Sequence, residues 1–276
     1  MKHVSMMICV LFLHSFVKAQ HSKFQAGIGY QRTWMVDKQA SPLKYQSSEK
    51  TFLIGYEHTG PNAKFTVKID GGLGSFFPTG FAGRQFYDPG YNEDGSPKND
   101  SFSMKGKLYS ARIKLGYMKA LPSGFSKIGK NNIYTDDYLG GSINNQVFYS
   151  DNVVRTGWMN STSLNADYEH AILFNTKHNV SIKLSIPLFA RNTRLPYHNT
   201  ISSGDGDSGV KTFFKQGSRF ASVFDFQNIH ISASYEYALS KKMGIGIQYS
   251  GQWLHCNREE PITLFQNNIG VIATLK

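Results

Sequence analysis

Residues 228–253 read NIHISASYEYALSKKMGIGIQYSGQW, and their periodicity decides the fold. Ile231, Ala233, Tyr235 and Tyr237 alternate with Asn228, His230, Ser232, Ser234 and Glu236. After Ser240-Lys241-Lys242, Met243, Ile245, Ile247, Tyr249 and Trp253 alternate with Gly244, Gly246, Gln248, Ser250 and Gln252. A period of two on both arms describes two antiparallel strands joined by a short turn, each with one apolar and one polar face. Two solutions satisfy that pattern: a soluble sandwich with its apolar face inward, or a closed barrel with its apolar face toward lipid.

The rest of the chain favours the barrel. Met1 to Ser5 carry Lys2 and His3, Met6 to Phe16 are mostly apolar, and Val17-Lys18-Ala19 precede Gln20. This is the pattern of a cleaved secretory signal; its apolar run of about 11 residues is too short to span a membrane, which takes roughly 20. Cleavage after Ala19 leaves a single domain, residues 20–276, and removing Lys2 and Lys18 lowers the net charge from +11 to +9. Cys256 is then the one remaining cysteine, so no intramolecular disulfide forms. No later stretch approaches 18 consecutive apolar residues, which excludes a transmembrane helix. The chain is nonetheless 14% aromatic and holds 26 glycines, a composition that suits aromatic girdles and strands packed closely around a lumen. Lysine and arginine are spread singly along the chain, with Lys241-Lys242 among the few adjacent pairs, which argues against a nucleic-acid partner and for anionic lipid headgroups.

Alternation recurs at about 24–36, 51–59, 63–75, 102–119, 157–174, 179–191, 219–239, 243–256 and 262–276. Phe65, Val67 and Ile69 opposing Lys64, Lys68 and Asp70 is the clearest instance. In 219–239 the parity changes, Phe224 and Phe226 sharing that of His230, so a bulge is expected near Gln227. Short connections at 60–62, 121–124, 175–178 and 240–242 alternate with long ones at 37–50, 76–101 and 192–217, as turns and external loops do in outer-membrane barrels. Nine strands with both ends on one side require a tenth, which must lie within 125–155. The expectation is an all-β fold, a single antiparallel transmembrane β-barrel of about ten strands, with eight or twelve as alternatives.

On these grounds the chain resembles bacterial outer-membrane β-barrel proteins, and the Ala-Gln cleavage end with its Asn- and Lys-rich style is similar to those of the Bacteroidetes group. The ending NIGVIATLK, residues 268–276, is similar to the terminal strand read by the barrel-assembly machinery, although Lys276 replaces the usual aromatic. The resemblance implies a Gram-negative outer-membrane location, a surrounding of outer-membrane lipid including lipopolysaccharide, and another outer-membrane protein as the partner to look for.

The inward faces collect Glu57, Lys64, Lys68, Asp70, Arg112, Lys114, Lys183 and Glu236, together with Asp167 and Glu169. Mixed signs in a narrow lumen predict ion pairs, since desolvated charges must be paired to be tolerated. His230 and Ser232 share that face and are the candidates for hydrolysis, with Asp167 or Glu169 as orienting acids. Residues two apart on one strand are separated by roughly 6.6 Å, so neighbouring strands must supply the partners. Asp205 and Asp207, and Asp88 with Glu93 and Asp94, carry oxygens suited to Ca²⁺ but lack the length and register of an EF-hand, and no metal or cofactor is assigned. The leading expectation is a non-enzymatic accessory or structural subunit of an outer-membrane assembly. A lipid-modifying or hydrolytic barrel enzyme and a narrow channel for small solutes are the alternatives.

Overall fold

The structure, a computed structural model, describes residues 21–38, 41–87, 90–96, 101–122, 124–128, 131–151, 157–194, 209–257 and 261–276. The signal expected at 1–19 lies outside them. The elements in chain order are β1 (His21–Asp37), β2 (Ser41–Thr59), β3 (Ala63–Pro78), β4 (Gln85–Tyr87), β5 (Ser101–Ser103), β6 (Gly106–Ala120) and β7 (Gly124–Ile128). They continue with β8 (Asn131–Asp151), β9 (Gly157–Phe174), β10 (His178–Arg194), α1 (Gly209–Gly217), β11 (Ser218–Ser222), β12 (Phe226–Ala238), β13 (Met243–Cys256) and β14 (Ile262–Leu275). Among the described residues, β1, β2, β3, β6, β8, β9, β10, β12, β13 and β14 form a ten-stranded antiparallel barrel, closed where β1 pairs with β14.

Register sets the size of the barrel. Cross-strand partners lead from His21 through Thr59, Lys64, Met118 and Gly140 to Asp167. From there they run through Ser185, His230, Gln252 and Gln266 back to β1 at Thr33, a stagger of twelve residues. With a rise of about 3.3 Å and a spacing of about 4.8 Å, ten strands so staggered tilt by roughly 40° and enclose a backbone radius of about 10 Å. Long side chains reaching inward from opposite walls fill a lumen of that width.

The outer wall is built for lipid. Every barrel strand carries an outward Ile or Leu near mid-height: Ile28, Ile54, Ile69, Ile113, Ile143, Leu164, Ile182, Ile231, Ile247 and Ile269, between 43% and 76% exposed. Phe24, Tyr56, Tyr117 and Tyr235 flank this band toward the short turns, and Tyr30, Trp34, Tyr109 and Trp253 flank it toward the loops. Exposed apolar surface on that scale is stable only against acyl chains.

Beyond the band, at the loop end, the chemistry of the two faces inverts while the parity of the strands continues. On β2 the outward residues change from Tyr56, Ile54 and Phe52 to Lys50, Ser48 and Gln46, and the inward ones end in buried Tyr45. Tyr45, Met35, Phe76, Leu108, Phe148, Met159, Phe226, Leu254 and Leu264 then pack together inside the barrel. This cap is a water-soluble barrel core standing on a membrane-spanning one.

The inversion explains where the pattern in the sequence misled. The segment 37–50, expected as a loop, is the continuation of β2, and the connection before it is only 38–40. β3 likewise runs on to Pro78, β10 to Arg194, and the remainder of those loops contains the β4–β5 pair and α1. Phe102 belongs to β5, so the next barrel strand begins at Gly106. Long strands, not uniformly long loops, distinguish this end. At the opposite end, 121–124 is no tight turn: β7 continues along β8 and pairs Gly124 with Thr135. The tenth strand expected within 125–155 is β8, 21 residues long.

No single-residue bulge lies at Gln227. A turn at 223–225 separates β11 from β12, the Asp225 N–H donating to the Ser222 carbonyl at 3.1 Å. β10 pairs Ser185 with His230 but Phe189 with Ser222, so the second segment advances eight residues while β10 advances four. Phe226 therefore points into the cap, 1% exposed, and Phe224 out of the turn, 85% exposed.

Candidate functional site

The lumen below the cap is arranged in tiers of side chains. Nearest the short turns is a lattice of acids and lysines drawn from six strands, with Lys276 just past the end of β14. Glu169 holds Lys64 at 2.9 Å and Lys183 at 3.0 Å. Glu57 receives Lys23 at 3.1 Å and both Lys64 and Lys183 at 3.5 Å. Glu236 takes Lys276 at 3.2 Å and Lys23 at 3.7 Å, and Lys64 also lies 4.3 Å from the centre of the Tyr138 ring. Lysine suits this role because its flexible stem crosses part of the lumen and one ammonium serves two carboxylates.

Above the lattice, Arg112 makes a two-point contact with Asp70, at 2.9 Å and 3.0 Å. Lys114 binds Asp167 at 2.8 Å and donates to Ser185 at 3.3 Å. Lys68 forms no hydrogen bond or ion pair with the described residues, and it stands directly across from Lys114 in the β3–β6 register.

The next tier is made of amides, hydroxyls and one carboxylate. Glu49, fully buried, accepts from Gln31 at 2.8 Å, Thr33 at 2.5 Å, Ser47 at 2.5 Å and Ser110 at 3.2 Å, with no ion pair among the described residues. Gln266 donates to Thr33 at 2.9 Å, and Gln252 donates to Gln146 and to Asn228, each at 2.7 Å. Four neutral donors stabilise a desolvated carboxylate without a counter-ion. Gly72 leaves room for this group, since a Cβ there would stand 2.8 Å from Glu49 Oε2.

The candidates for hydrolysis do not assemble. His230 and Ser232 lie on β12, Asp167 and Glu169 on β9, with β10 between them. Each acid is taken by lysine, and the His230 ring nitrogen meets the Arg112 guanidinium instead of an acid or a hydroxyl. A base held by a cation is not poised to accept a proton from Ser232. Asp205 and Asp207 lie outside the described residues, as does Asp88. Asp94 accepts the hydroxyl of Ser96 at 2.6 Å and its backbone N–H at 2.9 Å, and these bonds hold its carboxyl below the usual range. Among the described residues no group of three or more His, Cys, Asp or Glu is placed to hold a metal ion.

Three features of this lumen escaped the reading of the sequence. Glu49 fell within a segment taken for a loop, although Ser47, Glu49 and Thr51 keep the inward parity of Glu57. Lys23 and Lys276 sit at the ends of β1 and β14, where there is too little flanking pattern to assign a face. The apolar cap carried a signal in Met35, Tyr45, Leu254 and Leu264, but reading it required knowing that strands continue beyond the lipid.

An apolar belt around a closed sheet, with charges inside it, settles the architecture. The chain is an outer-membrane-type β-barrel. No protein-family model matches it, and no curated protein matches it. Among solved structures it is similar to the outer membrane protease OmpT from Escherichia coli, with a TM-score of 0.45 and 6% identity over 93% of this chain and 97% of that one. It is also similar to the translocator domain of the autotransporter NalP from Neisseria meningitidis, with a TM-score of 0.34 and 9% identity over 98% and 95% of the two chains. Neisserial surface protein A gives a TM-score of 0.32 and 9% identity over 92% and 98%. Likenesses at these scores carry neither an activity nor a partner over to this chain.

Proposed function

We propose that the protein is a non-conducting, non-enzymatic scaffold of the outer membrane, an accessory or structural subunit that engages another outer-membrane protein through its loop end and outer wall. The observation that carries this reading is the sealed lumen. A packed apolar cap closes the loop end and an ion-pair lattice narrows the turn end, so among the described residues a solute finds no way past the cap. Chemistry inside the barrel would need a poised base, and His230 is held by Arg112. What remains available to a protein partner is the exterior. There Arg32 and Lys50, exposed on adjacent strands where the apolar band gives way to polar residues, suit the phosphates of lipopolysaccharide.

The test is single-channel recording of the purified barrel in planar bilayers, paired with mild-detergent extraction and mass spectrometry. The expected outcome is no unitary conductance and a stoichiometric outer-membrane protein travelling with the barrel. Discrete open-channel currents from the wild type would overturn the sealed-lumen reading, and a lone monomer would overturn the subunit role.

A further inference from the structure

Two spaces open within the lumen below the amide tier. One is lined by Lys68, Arg112, Lys114, Asn144, Asn165 and Asp167 among others. The second extends toward the short turns, where Lys23, Glu236 and Thr274 line it. Lys68, Lys183, Ser232 and Gln248 line both, so the two adjoin. The apolar cap closes the loop end above them. Together they make a blind cup whose approach is from the turn end.

The charge in this cup is out of balance at one place. Lys68 and Lys114 face each other directly across β3 and β6, an arrangement of like charges that destabilises a sheet. Lys114 is neutralised by Asp167, while Lys68 forms no ion pair with the described residues. Lys68 is partly buried, and an ammonium withdrawn from water without an ion pair is costly. Lining the same space are acceptors that are equally unused: Asn144 Oδ1, Asn165 Oδ1 and Asp167 Oδ2 are buried without a hydrogen-bond partner among the described residues. These residues are 6%, 5% and 5% exposed. A cation without an ion pair and a set of idle acceptors around one space describe a ligand that is an anion at one end and a hydrogen-bond donor at the other.

We infer that the cup binds a small hydroxylated oxyanion, a hydroxy-carboxylate of the size of glycerate. Its carboxylate lies on the Lys68 ammonium, and its hydroxyls donate to Asn144, Asn165 and the free oxygen of Asp167. The site is independent of the scaffold reading, since a cup that the cap closes at one end holds such a ligand whether or not the barrel is a subunit of an assembly.

The test is a saturation-transfer NMR titration of the full barrel in uncharged detergent at low ionic strength. The probes are glycerate, propionate as the anion without hydroxyls, and glycerol as the polyol without charge. Saturable glycerate binding is expected, with propionate and glycerol each at least tenfold weaker. Lys68→Met should weaken glycerate at least tenfold, and Lys68→Arg should retain it, with unboiled gel mobility confirming that both variants are folded. Absence of saturable glycerate binding by the wild type overturns the proposal even if Lys68→Met fails to fold. So does equal binding of propionate, or unchanged affinity in a folded Lys68→Met barrel.

Discussion

Glu57 and Glu169 offer the sharpest test of whether the lumen lattice is one shared network or a set of separate pairs. Both carboxylates contact the same two ammonium groups, Lys64 at 3.5 Å and 2.9 Å and Lys183 at 3.5 Å and 3.0 Å. Changing either to Gln removes one acid but leaves each lysine the other, so each single substitution should cost about 3 kcal/mol, the low end for breaking a buried pair. The double variant removes both. Because the two carboxylates lie within about 6 Å of each other, each single change also relieves a mutual repulsion of roughly 3 kcal/mol at an effective dielectric of about 20. That relief can be gained only once. The double variant should therefore be less stable than the sum of the singles by roughly 3 kcal/mol. Urea unfolding in lipid vesicles, followed by tryptophan fluorescence for all four proteins of the cycle, measures this directly. Additivity within about 0.5 kcal/mol would refute the shared lattice.

The inversion of polarity predicts opposite responses to one substitution on one strand. Ile54→Lys, on the lipid face and 58% exposed, should cost about 2–4 kcal/mol in the same vesicle assay, whereas Ser48→Lys, six residues along the same face, should change stability by less than about 0.5 kcal/mol. Equal costs would mean that the bilayer covers both positions. Close strand approach gives a second contrast. A Cβ at Gly140 would stand 2.1 Å from the Tyr117 carbonyl oxygen, so Gly140→Ala should abolish the shifted gel mobility of the unboiled barrel. Gly60→Ala, whose Cβ would meet nothing nearer than 3.6 Å, should retain it. Retention of the folded band by Gly140→Ala would show that the strands there sit farther apart.

The barrel itself was legible in the sequence because the lipid solvent imposes a local rule. Within the membrane each outward residue must be apolar and each inward one is free to be polar, so Ile231, Ala233 and Tyr235 against His230, Ser232 and Ser234 report their faces without any knowledge of their neighbours. The same rule placed Glu57, Lys64, Lys68, Asp70, Arg112, Lys114, Asp167, Glu169, Lys183 and Glu236 inside, and counting strands demanded the one that became β8. Tertiary structure decided what the rule does not reach. A stagger of twelve residues, a property of the closed sheet alone, brings Arg112 onto His230, 118 positions away, and Lys64 onto Glu169, 105 away. Beyond the lipid the solvent changes, apolar residues turn inward, and β2 from Ser41 to Lys50 passes for a loop to any reading that assumes a single environment. Face follows from the order of residues because a strand alternates of its own accord; partners, and the seal over the lumen, follow only from closure.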